Sequence, residues 1–172
     1  MKRMLIVACL LAGLLQAQGQ ILPDYDTIKL ELATDYKPAE KFVLAAADFI
    51  LNNPVTTAEL KRAQSLQFIF KWMEGTPNYS FVIDSSTQLF KYNLDMMAVY
   101  IAAMCKYCLT NPALAKNPQL LTLNAWKLLL AYCANDKNKL APTKKVQKLI
   151  EADKNGTLEK ELEKQVSSFF DR

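Results

Sequence analysis

Glycine is nearly missing from this chain, and that constrains its fold more than any other feature. After residue 19 only Gly75 and Gly156 occur, too few for an all-β protein, whose many tight turns need residues free to adopt positive φ. The prolines Pro38, Pro54, Pro77, Pro112, Pro118 and Pro142 fall between apolar-periodic segments, where a residue without a backbone donor does little harm. The expectation is an all-α fold of about six helices with prolines as punctuation.

The periodicity places those helices. The first follows Pro38 and runs to about Asn52, with Phe42, Ala46, Phe49 and Ile50 at helical spacing. A second begins at Thr56-Thr57-Ala58-Glu59, a capping box in sequence, with Ala63, Leu66, Phe70 and Met73 as its stripe. A third opens at Ser85 with Gln88 as capping partner and continues through Leu94, Met97, Ile101, Cys105 and Cys108; being apolar almost all round, it should be central. Asn117-Pro118 opens a fourth, with Leu121, Ala125, Leu128 and Tyr132 on one face. Val146, Leu149 and Ile150 mark a fifth that Asn155-Gly156 stops, and Leu158, Leu162, Val166 and Phe169 mark a sixth.

Two halves of this layout match. Phe42 to Pro54 lies on Tyr100 to Pro112, so that Leu51-Asn52-Asn53-Pro54 meets Leu109-Thr110-Asn111-Pro112. Phe68 to Trp72 lies more loosely on Leu128 to Tyr132. The reading is two antiparallel helical hairpins stacked side by side, with the terminal helices as caps. Between them, Gly75 to Asp84 breaks the helical spacing; Tyr79, Phe81 and Ile83 alternate with Ser80, Val82 and Asp84, as in a short extended crossover.

Residues 1–19 have the three parts of a secretory signal: Lys2 and Arg3, the apolar run Met4 to Leu15, and the small and polar end Ala17-Gln18-Gly19. Cleavage after Gly19 is expected, leaving 20–172 as one domain. The run is shorter than the roughly 18 residues a membrane span needs. Ile6-Val7-Ala8-Cys9 also has the look of a lipoprotein box, but lipid attachment at Cys9 would leave only Met4 to Ala8 as the apolar core. Without Lys2 and Arg3 the formal charge falls from +4 to about +2. Near-neutrality argues against nucleic acid as a partner.

The words Phe70-Lys71-Trp72-Met73-Glu74-Gly75-Thr76-Pro77, Leu149-Ile150-Glu151-Ala152 and Asn155-Gly156-Thr157-Leu158-Glu159 resemble an uncharacterised family of small secreted bacterial all-α proteins. The resemblance implies a bacterial periplasmic or extracellular setting. It brings no activity and no catalytic residues.

The chemistry is bounded by what is missing. The chain has no histidine, so Ser-His and Cys-His nucleophiles cannot be built. No glycine-rich phosphate loop occurs. Cys105-Lys106-Tyr107-Cys108 lies within a helix without a preceding strand, so the thiols and Cys133 read as small buried side chains rather than a redox or metal motif. No cofactor and no metal are expected. Carboxylate catalysis on a glycan or cell-envelope substrate is the enzyme alternative; its candidates are Asp48, Glu74 and Asp84. The favoured reading is a noncatalytic exported domain that binds another protein or an apolar ligand, with Phe70, Trp72, Tyr79 and Phe81 as the candidate ligand-binding residues.

Overall fold

The computed structural model describes residues 22–82, 85–90 and 92–167. The signal segment, Cys9, Ile83, Asp84 and Phe169 lie outside them, as does the side chain of Val166. Six α-helices make up the described chain: α1 Ala33–Asn52, α2 Glu59–Gly75, α3 Leu94–Thr110, α4 Pro118–Ala134, α5 Lys144–Lys154 and α6 Leu158–Ser167. No strand occurs among the described residues, as the shortage of glycine predicts.

Helices α1 and α2 form one hairpin and α3 and α4 a second, joined through α1 against α3. The first is antiparallel by its own bonds. Arg62 at the start of α2 donates to the carbonyls of Ile50 (3.0 Å) and Asn53 (3.2 Å) at the end of α1. At the other end the Trp72 indole N–H donates to Tyr36 O, 3.1 Å away. Helix α3 is central, burying nine residues from Met96 to Cys108. Helix α5 packs on α4, and α6 packs on α5 and on the Ser85–Leu89 turn. The opposite flank is covered by 22–32, where Tyr25 stacks on Phe68 (centroids 4.6 Å, 17° between planes) and shares a hydrogen bond with Ser65.

The matched halves end alike. The Asn53 amide donates to Phe49 O at the end of α1 (2.9 Å), and the Asn111 amide donates to Tyr107 O at the end of α3 (3.1 Å). Both satisfy one of the orphan carbonyls of a final helical turn. Asp48 and Lys106, equivalent in the two halves, are paired with each other.

Four local expectations are corrected. Pro38 lies inside α1, as its sixth residue. The early turns are held by Asp35, whose carboxylate accepts from the Glu31 and Leu32 amides, and by the Trp72 bond to Tyr36; these outweigh the one lost backbone bond. The Thr56 capping box is not made. A turn closed by Thr57 N–H to Pro54 O comes first, and α2 starts from Ala58 in left-handed conformation (φ 46°).

The buried side of α2 is Arg62, Ser65, Phe68, Ile69 and Trp72, one residue around from the stripe expected. Ala63 is exposed, while Leu66, Phe70 and Met73 are half-buried. Arg62 and Ser65 can face the core because each has a partner there. Ser85 begins only a short 3₁₀ turn, since Ser86, Thr87, Leu89 and Phe90 turn inward, and the chain restarts as α3 under an Asn93 side-chain cap.

Candidate functional site

The crossover behaves as its alternation predicts. Thr76 ends α2, and beyond it Tyr79 and Phe81 turn inward while Asn78, Ser80 and Val82 stay exposed, the two-residue period of an extended chain. Both inward rings rest on Trp72, each with its centroid 5.8 Å from the indole, tilted for Tyr79 and edge-on for Phe81. Three of the four candidate residues are therefore brought together. Phe70 is not with them: two positions from Trp72, it sits about 200° around the helix. Trp72 exposes 0% of its surface, so in this conformation it braces the segment from below.

Gly75 leaves room for Tyr36 at this corner. A Cβ there would overlap the Tyr36 hydroxyl, so a larger residue would push the Tyr36 ring away from the last turn of α2. Tyr36 O is the acceptor for the Trp72 indole, and the segment is thus braced on both sides.

Beneath it lies an acid that the sequence gave no reason to single out. The Glu40 carboxylate accepts from Lys37 through one oxygen (2.7 Å), while its other oxygen is buried without a hydrogen-bond partner among the described residues. Its charge acts on two neighbours: the Tyr79 phenol is pushed up by burial and then by Glu40, and the Cys108 thiol is pushed up to about 12 by the same two causes in the same order. Burial raises Cys133 to about 11 and holds Cys105 well above the ordinary thiol value. All three thiols are free and buried. Protonated at neutral pH, they are poor nucleophiles and poor metal ligands. Cys108 and Cys133 sit at opposite ends of the second hairpin, as the sequence implies.

Open space lies on the outer side of the segment. An open cavity of about 360 Å³ is lined by Val82, the Ser85–Ser86 turn, the start of α4 at Pro118 and Leu123, and α6 at Leu162. Its walls are mainly apolar. Glu159 and Glu163, four residues apart on α6, stand at its rim, and neither makes an ion pair among the described residues. A second cavity of about 330 Å³ adjoins it, lined by Asn78, Tyr79, Ser80, Ala115 and Lys116. Val82 and Pro118 line both cavities, which are two lobes of one cleft.

The candidate acids are not gathered. Asp48 is held by Lys106. Glu74 is exposed at the far end of the first hairpin, roughly 18 Å along the helix axes from Asp48 by the rise of 1.5 Å per residue. Those two cannot face one another across a glycosidic bond, which needs roughly 5 to 10 Å. Asp84 lies outside the described residues. The acids that line this cleft are Glu159 and Glu163; in the sequence they belong to an alternation of Lys and Glu that reads as a solvated helix face. Their spacing of four was the only signal available.

Among the described residues no helix is long and apolar enough to cross a membrane. No protein-family model, no curated protein and no solved structure matches this chain.

Proposed function

We propose that this is an exported, noncatalytic bacterial binding domain whose ligand lies in the cleft between the crossover segment, the start of α4 and α6. The observation that carries this reading is the wall of the larger lobe: Val82, Pro118, Leu123 and Leu162 expose apolar surface to a cavity of about 360 Å³ beneath two unpaired carboxylates. Concave, mostly apolar sites with a few convergent polar groups are where ligands bind. The cleft suits a ligand with an apolar body and a positive charge. The aromatic residues Trp72, Tyr79 and Phe81 hold its wall in place.

The test uses the uncharged apolar dye Nile red and the variant Leu123→Trp, which fills the larger lobe from a half-buried position. Dye emission should rise and shift to the blue with the native protein, and the variant should lose that response while keeping its melting temperature. An equal response from both proteins would place apolar binding elsewhere on the surface and end this reading.

A further inference from the structure

The crossover is unusual in being fixed without being paired. Its two inward rings pin it to Trp72, yet residues 78–82 make no backbone hydrogen bond within the described chain. Backbone donors and acceptors are strong groups that structures normally pair, and a fixed extended segment with free ones is a template for another strand. This segment borders both lobes of the cleft, through Asn78 and Ser80 in one and Val82 in both. At about 3.3 Å per residue, the four residues beyond the bend at Pro77 and Asn78 span roughly 13 Å.

Resting on the cleft reading above, we propose that the cleft takes an extended polypeptide segment, which adds as a strand along 78–82 with an apolar side chain in the larger lobe and a basic one on Glu159 and Glu163. A strand places alternate side chains on one face, so a basic residue two positions from an apolar one can reach the rim while its neighbour fills the lobe. Charge complementarity fixes the sign: two carboxylates line the larger lobe, and the single cation lining the smaller one is Lys116. A lone amine with an apolar tail would fill the larger lobe and leave the second lobe and the backbone edge unused.

The probe is the peptide acetyl-Ser-Val-Ser-Lys-Ser-Val-Ser-amide, which puts its apolar and basic side chains on one face, together with two versions N-methylated at alternate residues in opposite phases. Strand pairing uses the N–H groups of alternate residues. One phase should therefore bind like the parent and the other about tenfold more weakly, as the loss of two or so hydrogen bonds implies. Hydrogen exchange at alternate amides of 78–82 should slow on binding. Glu159→Gln with Glu163→Gln should weaken the parent peptide about tenfold and leave a version with Ser for Lys unchanged. Equal affinity in both phases would show side-chain contact only and overturn strand addition, as would equal weakening of both. Nile red binding without any peptide binding would overturn this proposal alone, whereas failure of both would overturn the cleft as well. Concentration-dependent dimerisation with the same amides protected would assign the edge to a second copy and overturn the peptide proposal.

Discussion

In the first hairpin a polar anchor ties α2 to α1 at each end: the Arg62 guanidinium on the last carbonyls of α1 and the Trp72 indole on Tyr36 O. In the second hairpin the corresponding interface is an aromatic cluster, with Phe90, Tyr100 and Trp126 in mutual contact at centroid distances of 5.1 to 5.6 Å. Trp126 also donates to Ser86 Oγ (2.8 Å). Both tryptophans expose nothing, but their surroundings differ. Phe90 and Tyr100 are buried, whereas Tyr79 and Phe81 keep one side open. A repeated layout can thus carry two kinds of closure, and the cleft lies between them, walled by Val82 of the extended segment on one side and by Ser86 and the start of α4 on the other.

The sharpest test of that difference compares the two tryptophans. Trp126→Ala should cost about 4 to 5 kcal/mol, because its buried ring neighbours cannot close the void, and Trp72→Ala about 3, because the crossover can settle inward. Guanidinium midpoints measure both, and equal losses would mean that the crossover is as rigid as the core.

The polar anchors come next in size. Asn53 O accepts from Arg62 Nη1 (3.2 Å) and from Tyr132 Oη (2.6 Å), so one carbonyl ties α1 to both hairpins. Arg62→Met should cost about 2 kcal/mol, the scale of hydrogen bonds from a charged donor. Combined with Tyr132→Phe it should cost at least about 0.5 kcal/mol more than the sum of the single changes, because either donor alone still satisfies the carbonyl. Strict additivity in the four denaturation curves would refute the shared anchor.

The smallest effects test the likeness of the halves. Asn53→Ala and Asn111→Ala each remove one side-chain bond to a helix-end carbonyl, and each should cost about 1 kcal/mol. A loss confined to Asn53 would mean that the matching Asn-Pro endings share letters without sharing a role.

Much of the layout was legible before the fold was known. The Asn117-Pro118 start of α4, the Gly156 stop after α5 (φ +70°) and the central burial of α3 all appear where the pattern puts them, because caps and periodicity are local properties. The inward alternation of Tyr79 and Phe81 was legible for the same reason. The burial of Arg62 was not, since a charged residue reads as exposed until a helix end arrives to accept from it. Glu159 and Glu163 were equally invisible, because only the packing of α6 on the Ser85–Leu89 turn makes a cavity under them.

The sequence by itself determined the all-helical class, the pairing of helices and the crossover between them, since glycine shortage, proline placement and apolar period act through neighbours along the chain. Tertiary structure alone decided which face of α2 turns inward and which acids border a cavity. Those outcomes depend on partners far apart in the chain, such as Arg62 with Ile50 and Val82 with Leu162, and no local pattern encodes a partner that distant.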